Sequence, residues 1–320
     1  MMKNYEETIE KLKKYNQNEL VNIMSKVYTE EENKKLIEQL NRIDLNQVMN
    51  LYKNANNIPL IDERKIEHIE YTDLKAPDFL QKIKDLNVDL AIVCSFNYKV
   101  PEELLNCVKD GFLNIHPSLL PEYRGANPYS RVILNNEKIT GVTLHHMNNE
   151  FDRGDIVLQL TCPIEKYETM GSLFNKTNEM CVEMLIATLK EYEERQLPSI
   201  PQKQGDFITA DTITDKETYI NYNNSAEDIE RQVRALNPFI LATTFFRHNS
   251  VRVMKVEVVK KHYSDNIPNG TIVKIKDNNV IVKTAKDCIA IKVLQFGSYF
   301  AGDSADFIKH INPKEGERFY

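Results

Sequence analysis

Asn114-Ile115-His116-Pro117-Ser118-Leu119-Leu120-Pro121, followed by Tyr123-Arg124-Gly125 and then by Asp152-Arg153-Gly154-Asp155, is the stretch whose reading decides the fold. Asn114 and His116 are two apart, so on a β-strand their side chains leave the same face. Pro117 has no N–H to give to a ladder and ends the strand, leaving the pair at its carboxyl end. In an open α/β sheet that is where ligands bind. An amide, an imidazole and a carboxylate are also the groups needed to move an acyl unit onto an amine without a covalent intermediate.

Working outward, an α/β rhythm runs from residue 76. A helix is expected over Ala76–Leu86, where Phe79, Leu80, Ile83 and Leu86 share a face. Val88–Phe96 is a continuous apolar run, as in a buried parallel strand. Pro101–Val108 reads as a short helix with proline in its first turn, Phe112–His116 as the signature strand and Tyr129–Leu134 as a helix. Gly141–Met147 and Ile156–Ile164 read as strands, and Thr169–Glu194 as a long helix. A linker carrying proline and glycine follows over 197–215. Ser225-Ala226-Glu227-Asp228 opens a helix to Leu236. Short β-rich runs at Val251–Val259, Gly270–Ile275, Asn279–Thr284 and Ile289–Gln295 then suggest a small barrel.

The chain has 320 residues, enough for two or three domains, and 42% hydrophobic content supports real cores. No apolar run approaches the ~20 residues of a membrane span, and the polar start MMKNYEETIEKLKK has no secretory apolar region. No membrane partner and a cytoplasmic location are expected. The five cysteines are scattered without metal-ligand spacing and read as free thiols. His145 and His146 lack a third ligand at useful spacing, so no metal is expected. These two histidines point to opposite faces of their strand and also suit exposed strand positions. A net charge of −6 argues against bulk polyanion binding and leaves room for a local basic groove.

The run 112–125, with 141–159, resembles the signature of the 10-formyltetrahydrofolate-dependent formyltransferases. Within that group it most resembles the enzymes acting on methionyl-tRNA, over roughly 76–320. RALNPF, Pro268-Asn269-Gly270-Thr271-Ile272 and VLQFGS resemble the C-terminal domain of those enzymes. The resemblance implies Asn114, His116 and Asp152 as the catalytic set. Asn114 would hold the developing oxyanion, His116 would move the proton, and Asp152 would hold the imidazole or a water. It places the folate co-substrate along Phe96, Tyr98, Lys99 and Val100, the Ser118, Leu119, Leu120, Pro121 loop, and Met147 and Asn148. The family often has glycine where Asn97 stands, and asparagine tolerates a left-handed backbone. The implied acceptor is methionyl-tRNA. The alternative is an amino-sugar nucleotide, since the sugar N-formyltransferases often carry a histidine in the strand of His145 and His146.

The first glycine of the chain is Gly111, whereas this family opens with a strand and a glycine-containing turn. The expected fold is therefore α/β with a helical segment over 1–72, a truncated Rossmann-like formyltransferase domain over 73–200, and a linker and C-terminal β-barrel over 201–320. Residues 1–55 read as helices: Thr29-Glu30-Glu31-Glu32 fits a capping box, and Leu36, Leu40 and Ile43 form a helical stripe. The segment 1–72 resembles the N-terminal helices of UDP-N-acetylhexosamine pyrophosphorylases, without their glycine-rich nucleotide loop. A competing reading is a catalytically idle fusion with a docking helical module.

Overall fold

The computed structural model describes residues 68–96 and 98–320, with Glu6, Ile9, Glu10 and Lys13 in a helix near the start. Residues 68–72, the end of the expected helical segment over 1–72, are irregular rather than helical; the rest of that segment, and Asn97, lie outside the described residues. The chain divides into two compact units, Met1–Tyr71 and Thr72–Tyr320, and the second carries all the elements named below.

Helix α1 (Pro77–Asp85) starts on proline, and strand β1 (Ala91–Cys94) follows. The buried strand expected over 88–96 is shorter and more open than predicted. It has four residues, Ile92 in it and Phe96 after it are exposed, and among the described residues β1 pairs with β2. Short helix α2 (Glu102–Leu105) leads to β2 (Phe112–His116), α3 (Pro128–Leu134), β3 (Ile139–His146), β4 (Ile156–Pro163) and α4 (Met170–Glu194). The sheet order is β1-β2-β3-β4. β1 and β2 are parallel, whereas β2–β3 and β3–β4 are antiparallel. Among the described strands the parallel, Rossmann-like pairing is thus confined to one pair. The connection from β3 to β4 covers only 147–155, too short for a crossover helix, so the chain must turn back.

The linker passes through short helix α5 (Asp215–Thr218) to α6 (Ala226–Leu236), where Ser225 Oγ accepts from Asp228 N at 3.1 Å, the cap expected from sequence. Strands β5 (Ala242–Phe246), β6 (Asn249–Val259), β7 (Ile272–Lys276), β8 (Asn279–Lys283), β9 (Cys288–Phe296) and β10 (Phe300–Asp303) form one antiparallel sheet, and α7 (Ser304–Ile311) follows it. The outer strands β5 and β7 are joined through the chain's last residues. Phe245 N donates to Tyr320 O and Tyr320 N to Phe245 O, both at 3.0 Å, while Ile272 N donates to Glu317 O at 2.8 Å. The last residues thus cover the free edges of both outer strands. β5, β10 and α7 were not foreseen.

Helix α6 ties the two halves together. Ile229, Val233 and Leu236 are buried in the core of the C-terminal sheet, and Ala235 is buried in a cluster with Val132, Ile133 and Leu173 of α3 and α4. Phe246 is fully buried in the sheet's core, with Phe319, Phe307 and Phe296 ring centroids 4.7, 5.5 and 6.4 Å away. Phe246→Ala is expected to cost about 3–5 kcal/mol, seen as a lower urea midpoint with an unchanged slope.

Candidate active site

The site is built where β2 and β3 end side by side. Asn114 and His145 are directly opposed in the β2–β3 ladder, so their side chains share one face and meet. Asn114 Nδ2 lies 3.1 Å from His145 Nε2 and 3.5 Å from Asp152 Oδ1. The same carboxylate oxygen lies 3.5 Å from His116 Nδ1 and 3.8 Å from His145 Nε2. One oxygen therefore faces three of the residues named in the sequence reading.

The tautomers follow from the outer partners. His145 Nδ1 sits 2.8 Å from its neighbour's carbonyl, His146 O, and so carries the hydrogen and donates. Nε2 is then the acceptor for Asn114. Burial pushes the His145 imidazole down to about 4, with the His146 carbonyl and Asp152 opposing that shift and His116 and His146 adding to it. Neutral His145 thus fixes the direction of the Asn114 amide. His116 Nε2 donates to Tyr123 O at 2.8 Å, which leaves Nδ1 turned to Asp152. A proton placed on Nδ1 is shared with that carboxylate.

Asp152 sits on the β3–β4 turn at φ +54, a left-handed backbone that aspartate accepts more readily than most residues. Three groups hold it there. Gly125 N donates to Oδ2 at 2.9 Å, Arg124 Nε to the Asp152 carbonyl at 3.2 Å, and Gln202 Nε2 to the same carbonyl at 2.8 Å. Gln202 also donates to Gly154 O at 2.8 Å and accepts from Arg124 Nη2 at 2.5 Å, so each end of its buried amide is used. Gly154 is needed beside it, because a Cβ there would meet His146 O at 1.7 Å.

A cleft of about 430 Å³, counting space open to solvent, lies in front of these groups. Phe96, Tyr98, Lys99, Val100, Met147, Asn148, Asn114 and Asp152 all line it. Ser118, Leu119 and Leu120 do not. Ser118 and Leu120 are buried behind the strand end, with Ser118 Oγ donating to Glu122 O at 2.7 Å and Leu120 N to Thr143 Oγ1 at 3.2 Å. Pro121 lines a different cavity, beside Arg124. His116 is 5% exposed and is not on the cleft wall; it reaches the site through Asp152. The geometry thus splits the residues expected at the folate site into wall and support. His145, Arg124 and Gln202 were missed as site residues. The signal for His145 was its place opposite Asn114, which needs the strand register. His146 faces away and reaches Pro198 O at 3.3 Å, as alternation predicts. No group of three or more metal-ligating side chains occurs among the described residues.

Fold and site together define a group-transfer enzyme of mixed α/β architecture. The profile described as Formyl transferase is matched over residues 2–189, and that described as Formyl transferase, C-terminal domain over 212–312. A methionyl-tRNA formyltransferase of Acetivibrio thermocellus is 32% identical over 236 residues, 74% of this chain and 76% of that one. Its namesake in Caldanaerobacter subterraneus subsp. tengcongensis is 34% identical over 239 residues, with the same two shares. Among solved structures, HypX from Aquifex aeolicus in complex with tetrahydrofolic acid superposes with a TM-score of 0.58 at 21% identity, covering 75% of this chain and 42% of that longer one. That likeness establishes the fold alone. The chain belongs to the formyl transferase family. The first profile begins at residue 2, so the stretch before 76, set outside the family resemblance on sequence, falls inside the matched span.

Two outcomes follow. The folded-state pKa of His145 lies below the ordinary 6.5, so protonation favours the unfolded chain. Its contribution is intact above about pH 6.5 and is lost as pH falls towards 4, to a total of ~3 kcal/mol. Urea melts at pH 7 and pH 4.5 should show that loss in the parent protein and less of it in His145→Gln. Gly154→Ala should displace the Asp152 turn and lower transfer at least ~10²-fold, with a native-like far-UV spectrum.

Proposed function

We propose that the chain transfers a formyl group from 10-formyltetrahydrofolate to the amino group of methionyl-tRNA. The observation that carries this reading is the single oxygen Asp152 Oδ1, which faces Asn114, His116 and His145 at 3.5, 3.5 and 3.8 Å on a cleft of mixed apolar and polar lining. Phe96, Val100 and Met147 offer walls for a flat pterin, with Tyr98 and Lys99 exposed at the mouth. No metal is needed for the step below.

The amine nitrogen attacks the formyl carbon, and the carbonyl electron pair moves to oxygen. Asn114 Nδ2 has two hydrogens, one directed to His145 and one along the long 3.5 Å contact to Asp152. The second is the one free to turn to the oxyanion. Asp152 faces the reacting atoms and takes the proton from the attacking amine, sharing it with His116 Nδ1 behind it. The proton then passes to the folate nitrogen, the carbon–nitrogen bond to the folate breaks, and the carbonyl re-forms on the acceptor. Atoms and charges balance without an external reagent.

The acceptor follows from the relatives, which are named methionyl-tRNA formyltransferases, and from the matched C-terminal domain. The histidine that favoured a sugar acceptor has another occupation here, orienting Asn114. The grouping of Asn114, His116 and Asp152 within 3.5 Å contacts supports this reading over an idle fusion. Under this reading 73–200 holds the chemistry and 201–320 handles the acceptor, with 1–72 as the helical segment. The enzyme works in the cytoplasm, and no helix among the described residues is long and apolar enough to cross a membrane.

The test is formyl transfer from 10-formyltetrahydrofolate by the purified chain, with methionyl-tRNA and an amino-sugar nucleotide compared as acceptors. Transfer to methionyl-tRNA, lowered ~10²–10³-fold in kcat/KM by Asn114→Ala, is the expected result. Labelling of the sugar alone would overturn the acceptor, and no transfer to either would overturn the function.

A further inference from the structure

Tyr123 is a buried titratable residue whose side chain the transfer step does not use. It sits at φ +60, a left-handed backbone that a bulky residue rarely adopts and that persists only where its surroundings over-determine it. Its N–H donates to Ile208 O at 2.7 Å. Its hydroxyl donates to Glu137 Oε1 at 2.6 Å and accepts from Asn135 Nδ2 at 3.1 Å. Burial, and then the Glu137 carboxylate, push the phenol up to about 12, so the hydroxyl keeps its hydrogen and goes on donating.

The two residues that hold the hydroxyl come from the end of α3. Asn136, at φ +58, takes the left-handed position after the helix. Its N–H donates to Ile133 O and that of Glu137 to Val132 O, both at 3.0 Å. This is the Schellman pattern, with asparagine in the place where glycine is commonest. Asn135 and Glu137 are therefore fixed through their backbone, and Tyr123 is moored to a helix end. Its carbonyl in turn accepts from His116 Nε2 at 2.8 Å, and His116 Nδ1 faces Asp152 Oδ1 at 3.5 Å. Arg124 and Gly125 follow directly and bond Asp152 itself, at its carbonyl and at Oδ2. Residues 123–125 thus serve both members of the carboxylate–imidazole pair. Glu137 lines a separate cavity and is not on the wall of the cleft, so it meets the chemistry through Tyr123.

We propose that Tyr123 and Glu137 are positioning residues for the transfer: their hydroxyl–carboxylate bond tethers the 123–125 loop, so that the Tyr123 carbonyl keeps the hydrogen of His116 on Nε2 and leaves Nδ1 open to a proton shared with Asp152. Neither side chain touches substrate. The inference rests on the formyl-transfer reading and adds to it what holds the imidazole in one tautomer.

The experiment uses the full chain with Tyr123→Phe, Glu137→Ala, Glu137→Gln and the Tyr123→Phe/Glu137→Ala pair, after thermal melts confirm folding. Glu137, only half-buried, carries the test if the Tyr123 variant does not fold. The first measurement is the nitrogen-15 side-chain spectrum of His116 without substrate, at about pH 8.5, above the ordinary histidine range. The parent should carry its hydrogen on Nε2. Tyr123→Phe and Glu137→Ala should move it to Nδ1, where it can donate to Asp152. Glu137→Gln, whose amide oxygen still accepts, should keep the parent signature. The second measurement is steady-state formyl transfer. In the same two variants kcat should fall ~10-fold, part of the ~10²–10⁴ that a positioned acid or base contributes, while KM for folate and acceptor holds within about twofold. The double variant should lose no more than the larger single one, because both changes remove one bond. An unchanged His116 signature, an unchanged kcat, a loss that falls on KM, or additive losses would each overturn the positioning role. A parent chain that transfers no formyl group, yet shows the tautomer shift, would sink the formyl-transfer reading and leave the tether standing.

Discussion

The site depends on the placement of one carboxylate. Asp152 is largely buried, with a side chain 12% exposed, and a charge removed from water must be met by donors. The Gly125 amide meets Oδ2, and Asn114 and His116 stand around Oδ1. The carbonyl of the same residue is gripped by Arg124 and Gln202, which also grip one another. Strand end, turn and linker are thereby locked around a single residue. Removing any of these partners would leave a buried polar group without its match, which costs more than one ordinary hydrogen bond contributes.

Topology explains why that lock forms. The nine-residue return from β3 to β4 makes the turn carrying Asp152, and the antiparallel β2–β3 register sets Asn114 against His145. The β3–β4 ladder shifts register between Leu144 and His145, where Val157 of β4 is passed over. Helix α6 fixes the C-terminal sheet against α3 and α4, so the linker spans between anchored ends and Gln202 can be held tightly.

The electrostatics divide the histidines by task. His145 is buried, neutral and committed to an amide, so it orients without carrying charge. His116 has an oxygen at each ring nitrogen, with Nε2 donating to Tyr123 O and Nδ1 turned to Asp152. Similar side chains on neighbouring strands acquire different chemistry from what their second nitrogen touches.

Much of this was legible from the residues. Asn114 and His116 at a strand end, the proline that stops that strand, the turn at Asp152 and the cap at Ser225 are local patterns, set within a few residues by backbone geometry. Those patterns determined the alternating elements and put Asn114 and His116 on one face of a strand end, while the family resemblance added Asp152 to them. Tertiary structure alone decided the rest. It paired Asn114 with His145 across 31 residues and Arg124 with Gln202 across 78, and it buried Ser118 and Leu120 away from the cleft wall. Such contacts depend on register and on where a linker crosses, and neither leaves a periodic trace in sequence because each side chain's partner is chosen by packing.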